Sequence, residues 1–152
     1  MRFLQLAVLF SSAVFMLGCA SLSKEQRVVC PYDTVWNAAL DTMKEFPVRV
    51  KDKESGVIET GWTEMEGPGR KFGVFQRTTF DNKERARLIV TVKQVNNATD
   101  VSITEIREQW HKRGGVTSQA MRWWPVEPSQ EAMTAVMNRI NAKLKAQGCS
   151  VS

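Results

Sequence analysis

Glu84-Arg85-Ala86-Arg87-Leu88-Ile89-Val90-Thr91-Val92-Lys93-Gln94-Val95 is the stretch whose reading decides the fold. Ala86, Leu88, Val90 and Val92 share one parity, and Arg85, Arg87, Thr91 and Lys93 share the other, with Ile89 the exception. Side chains alternate across a strand, so one face of this strand is buried and the other mostly wet. A sheet of that kind needs cover on one side only, and the rest of the chain has to supply it.

Asn96-Asn97-Ala98-Thr99 turns the chain, and residues 100 to 111 return as a second strand carrying the β-branched Val101, Ile103, Thr104 and Ile106. Pairing across this loop sets Val92 opposite Ile103, Ile89 opposite Ile106 and Arg87 opposite Glu108, the last a cross-strand ion pair on the wet face. The same register sends Glu105, Arg107 and Gln109 toward the side of Val90, Leu88 and Ala86. Two outcomes are open: a bulge near Glu105 that flips the parity, or an uncovered sheet end where Glu105, Arg107 and Gln109 form a candidate polar groove.

Upstream, Val35, Trp36, Ala39, Leu40 and Met43 follow helical spacing, with Asp33 as the expected N-cap and Pro47 as the stop. Trp36 in such a stripe reads as core. Val48 and Val50 then alternate with charges, Lys53-Glu54-Ser55-Gly56 turns, and residues 57–63 return with Ile58, Thr60 and Trp62 on one face. Residues 64–70, with Gly67-Pro68-Gly69, read as a loop, and 71–80 as a third strand. That Gly-Pro-Gly runs into no helix and has no Lys-Ser/Thr after it, so it is no phosphate cradle.

Downstream, residues 116–124 are a candidate last strand leading to Trp123-Trp124-Pro125. Trp123 and Trp124 beside Arg122, with Trp110 brought near by the meander, form a candidate docking patch. The competing reading is one core Trp and one that covers a sheet edge. Residues 129–147 carry Ala132, Met133, Val136, Met137, Ile140 and Leu144 at helical spacing, with Lys143 and Lys145 near the negative end and Gly148 as the stop. The order predicts an α+β domain: a helix, an antiparallel meander of five to six strands, and a C-terminal helix packed on the sheet.

Leu17-Gly18-Cys19-Ala20 closes an apolar leader that starts at Arg2, too short to span a bilayer. It resembles the lipobox of bacterial lipoprotein signal peptides. The resemblance implies cleavage after Gly18 and a diacylglyceryl thioether on Cys19, with more than one acyl chain giving a stable anchor. Residues 1–18 are then the signal peptide, 19–29 a lipidated tether and 30–149 a single domain. Ala20, where inner-membrane retention uses Asp, points to the periplasmic face of the outer membrane. The mature 134 residues carry a formal +4. Behind an export signal that charge suits envelope proteins or lipid headgroups and not nucleic acid.

With Cys19 lipidated, Cys30 and Cys149 remain, one before the first helix and one after the last, in an oxidising compartment. A disulfide between them closes a loop of more than 100 residues, worth about 4 to 5 kcal/mol in the chain-entropy model. One His, His111, and no CxxC or HxxxH spacing argue against a metal, and neither a cofactor nor a catalytic residue is expected.

The helix Val35-Trp36-Asn37-Ala38-Ala39-Leu40, the Gly56-Val57-Ile58 hairpin, the terminal helix and the lipobox together resemble the BamC-like (NlpB) outer-membrane lipoproteins, whose helix-grip domains wrap a sheet around a helix. Here there is one such domain on a short tether, where BamC has two and a long disordered segment. The resemblance implies a non-enzymatic accessory or docking module of a cell-envelope assembly. The alternative it leaves open is a binding module that holds a lipid or other apolar ligand between the sheet and the C-terminal helix.

Overall fold

The computed structural model describes residues 22–67, 70–72, 77–79, 83–113 and 120–151, with 70–72, 77–79, 111–113, 120 and 121 described by backbone alone. Residues 1–21, with the expected leader and Cys19, lie outside them. In order, the elements are β1 (Ser23–Val29), α1 (Tyr32–Met43), β2 (Val48–Asp52), β3 (Val57–Thr60), β4 (Thr63–Glu66), β5 (Arg70–Phe72), β6 (Arg77–Thr79), β7 (Lys83–Val95), β8 (Ala98–Arg113), β9 (Ala120–Val126), α2 (Gln130–Ala146) and β10 (Ser150–Val151).

Among the described residues eight strands form one antiparallel sheet, in the order β10-β1-β8-β7-β3-β2. β4 shares an edge of β7 with β3, and β9 pairs with β8 beyond β1. β5 and β6 pair as a separate ribbon. The fold is α+β as expected, with the long β7–β8 hairpin at its centre. Ala86, Leu88, Val90 and Val92 of β7 are all buried. Both helices cover this one face: Val35, Trp36 and Met43 of α1 and Met133, Met137, Ile140 and Leu144 of α2 join Val90, Val101 and Ile103 in a single core. Each such side chain contributes about 1.5–3 kcal/mol on burial.

Several expectations are corrected. The β7–β8 register runs without a break from Lys83↔Trp110 to Val95↔Ala98, so no bulge sits at Glu105. It is displaced by two residues from the expected pairing, because the tight turn leaves Val95 and Ala98 paired directly; Arg87 faces Ile106, and Glu108 faces Arg85. A shift of two preserves the parity, which is why the inner and outer faces are still as read. Part of the stretch expected as a tether is regular structure: Ser23–Val29, unremarkable in composition, is the strand β1, where Arg27 pairs with Asp100 at 2.7 Å and Val28 enters the core.

The expected strand 57–63 divides into β3 and β4, and β4 occupies part of the expected loop. Glu59 faces Ile89 and Thr63 faces Ala86, so this side of the pairing holds one residue more than β7 between those points. Thr60 fills the gap, its hydroxyl accepting from Leu88 N–H at 2.9 Å. Gly61 donates to the Pro47 carbonyl at 2.7 Å. The extra residue moves Trp62 off the face of Ile58 and Thr60. In place of the single strand expected at 71–80, the described residues there pair antiparallel as β5 and β6. α1 is capped by Pro31, whose carbonyl accepts from Thr34 and Val35 N–H, and not by Asp33, which pairs with Lys53 at 2.9 Å.

α2 starts where expected: Ser129 caps it, its hydroxyl accepting from Ala132 N–H at 3.1 Å. It stops at Gly148, whose φ of +81° suits glycine at a C-terminal cap. Cys30 and Cys149 are joined in a disulfide with Cα atoms 5.5 Å apart. It ties the segment between β1 and α1 to that between α2 and β10. Among the described residues no helix is long and apolar enough to cross a membrane.

Candidate functional site

The outer face of the sheet, on which neither helix packs, carries an aromatic and cationic cluster at the β4–β7–β8–β9 end. β7 alternation brings Arg85 and Arg87 to this face, and the extra residue before β4 turns Trp62 onto it. The Arg85 guanidinium lies 4.3 Å from the ring centroids of both Trp62 and Trp123. Arg87 lies 5.1 Å from Trp62. Trp110 meets Trp123 at 5.4 Å with a tilt of 58°, directly opposite it in the β8–β9 register.

Carboxylates hold the cations in place. Arg85 pairs with Glu108 at 2.5 Å and Arg87 with Glu59 at 2.6 Å. All four of these side chains are 20–28% exposed, so solvent screens the pairs only in part. A planar guanidinium can lie against a ring by its face and pair with an acid along its N–H edge, which lysine has no means of reproducing. The result is a pre-ordered, half-exposed platform of rigid rings.

Residues expected to share one patch are divided between faces. Trp110 and Trp123 belong to the outer cluster. Arg122 and Trp124 take the other parity of β9, where Trp124 faces Gln109 and the Arg122 guanidinium lies 3.6 Å from the Trp124 ring. Adjacent residues in a strand point to opposite faces, so Trp123-Trp124 cannot form one surface. Sequence reasoning missed Trp62 and Arg85. The parity of Arg85 was available as a signal, and the position of Trp62 depended on the Gly61 irregularity.

Glu105 and Arg107 come together on the inner face, at the end where α2 begins, and Gln109 shares that face. Glu105 is 3% exposed and Gln109 8%. Arg107 grips Glu105 through Nε at 3.1 Å and Nη2 at 3.0 Å, and Glu84 through Nη1 at 2.8 Å. The Glu105 hydrogen bonds hold the guanidinium above its ordinary pKa despite desolvation, and Glu84 adds to the effect. Glu105 also accepts from Ser129 N–H at 2.5 Å, at the positive end of α2. This is an internal cluster that anchors the helix start to the sheet.

His111 lies in the part of β8 described by backbone alone. No group of three or more His, Cys, Asp or Glu able to hold a metal occurs among the described residues.

No curated protein matches the chain. A family model described as a domain of unknown function, DUF3576, matches residues 32–145, from the start of α1 almost to the end of α2. That span takes in both helices and the β7–β8 hairpin, and the chain belongs to this family.

Proposed function

We propose that the chain is a membrane-anchored, non-enzymatic docking module of a cell-envelope assembly, held by a lipid on Cys19 at the periplasmic face of the outer membrane. The observation that carries this reading is the Trp62–Arg85–Trp123–Trp110 cluster on a sheet face that no helix covers. Rings fixed by stacking lose little entropy on binding, and Trp and Arg dominate protein hot spots. The Leu17-Gly18-Cys19-Ala20 motif supports the anchor. β1 begins four residues after Cys19 and lies within the sheet, so the anchor holds the domain close to its own leaflet.

Affinity purification from membranes tests the docking role. Wild-type protein retains a stoichiometric envelope protein and Trp123→Ala loses it while keeping its fold; recovery of the lipoprotein alone overturns the reading. Fractionation of Cys19→Ala tests the anchor separately, and its persistence in the membrane fraction excludes the lipid.

A further inference from the structure

β1 and β9 lie end to end along the same side of β8. Ser23, the first residue of β1, pairs with Thr104, and Val126, the last of β9, pairs with Arg107. Only Glu105 and Ile106 of β8 separate the two pairs, a span of about 10 Å at the rise of a strand. Cys19 precedes Ser23 by four residues, a reach of at most about 14 Å however the chain between them runs. The opposite edge of the sheet is β2, four strand spacings from β1 or β9, or about 19 Å. A lipid on Cys19 therefore puts the bilayer surface beside the β1–β9 edge and away from β2.

The side chains of that edge fit a headgroup layer. Among the described residues β9 pairs with β8 alone, so its other side is a sheet edge. Trp123 and Trp124 lie on its two faces, and residues of opposite parity reach one plane only where the strand meets it edge-on. Tryptophan gathers at membrane–water boundaries, with its ring in the apolar part and its N–H in the wet part. Arg122 is exposed, its guanidinium 3.6 Å from the Trp124 ring, and a guanidinium held by its face against a ring can meet phosphate oxygens along its N–H edge. Pro125, exposed next to Trp124, has no N–H to leave unpaired at an edge. Leu22, 39% exposed just before β1, adds an apolar contact, and Lys24 a cation. Glu25 and Glu127 are exposed acids of the same edge, so the attraction is local, between single headgroups and single side chains. We infer that the β1–β9 edge stands on the phosphate layer of the leaflet that holds Cys19, with Arg122 and Trp124 among the headgroups and the sheet upright. This rests on the lipid anchor proposed above, and it leaves the outer face around Trp62 and Arg85 open sideways to a protein partner.

The lipidated full chain is reconstituted in vesicles of phosphatidylethanolamine and phosphatidylglycerol that carry a nitroxide quencher on the headgroup. A fluorophore is attached to a single added cysteine, Pro125→Cys on β9 or Lys51→Cys on β2, both at exposed positions. Position 125 is quenched at least about twofold more than position 51, as the distance across the sheet requires. Combined with the label at 125, Arg122→Gln and Trp124→Ser each lower the quenching toward the value at 51, while the protein still floats with the vesicles. Arg122→Gln, at an exposed site, decides the point if Trp124→Ser loosens the fold. Equal quenching at the two positions in protein that floats overturns the orientation and leaves the anchor standing. A gradient untouched by either substitution overturns the headgroup contact of Arg122 and Trp124. Failure to float overturns the anchor, and the orientation with it.

Discussion

Arg107 places Nε and Nη2 on the two carboxylate oxygens of Glu105, two residues back on the same strand, at 3.1 and 3.0 Å. The same carboxylate receives the N–H of Ser129, the residue that caps α2. One buried acid therefore links the centre of the sheet to the start of the helix that covers it. Glu105→Ala is expected to cost about 3 kcal/mol, the lower part of the range for breaking a buried ion pair, because Arg107 keeps Glu84. Glu105→Gln, which can still accept from Ser129, costs less. Urea unfolding measures both, and a Glu105→Ala midpoint equal to wild type would remove Glu105 from this role.

Gly56 has φ of +70°, and a Cβ there would meet the Val92 carbonyl oxygen at 2.0 Å. The Gly56 carbonyl also accepts from Val92 N–H at 2.8 Å. Substituent and backbone compete for the same space on β7. Gly56→Ala is expected to lose more than about 2 kcal/mol, combining left-handed strain with displacement of the β2–β3 hairpin. A thermal melt within a degree of wild type contradicts this.

Removing the Cys30–Cys149 bond by the double change to alanine frees a sequence separation of 119 residues. The loss is expected to be up to about 4–5 kcal/mol. Under denaturing conditions without reductant, thiol labelling finds no free thiol at either position in the wild type. Labelling of both would show the bond to be absent.

Arg85→Lys keeps the charge opposite Glu108 but has no planar group to lie against Trp62 and Trp123. The expected loss is about 1 kcal/mol, with tryptophan emission shifted to the red as the two rings gain water. Emission and stability both unchanged would count against a stacked Arg85.

Acid acts through a few surface carboxylates. A hydrogen bond from Arg27 holds Asp100 below the usual carboxylate range, and one from Lys143 does the same for Asp41. A carboxyl with a folded pKa below its unfolded one adds stability that is complete above about pH 4 and fades as pH falls through the folded value. Stability is therefore flat in these two groups near neutrality and declines below about pH 4. Carbon-detected NMR titration locates the effect: Arg27→Ala returns Asp100 toward the ordinary range and leaves Asp41 low. Asp100 titrating in the ordinary range in the wild type sinks the assignment.

Patterns confined to one element were legible in the residues. Ala86, Leu88, Val90 and Val92 alternate, and Met133, Val136, Met137, Ile140 and Leu144 recur at helical spacing, because burial on one side imposes a period on the sequence. Those periods are sufficient for the α+β class, for which face of β7 is inner, and for both ends of α2. The pair Cys30 and Cys149 was legible from its position outside the two helices. Relations between elements were not. Register depends on the turn at Asn96-Asn97, and a shift of two leaves every hydrophobic pattern intact while exchanging Arg87 for Arg85 opposite Glu108. β1 has almost no pattern of its own and becomes a strand because the free edge of β8 offers backbone partners. Trp62 reaches the outer face through a single extra residue near Gly61. The sequence by itself determined the buried faces of β7, α1 and α2 and the α+β class; tertiary structure alone decided which Trp meets which Arg, since ring contacts and ion pairing depend on neighbours that lie far apart in the chain.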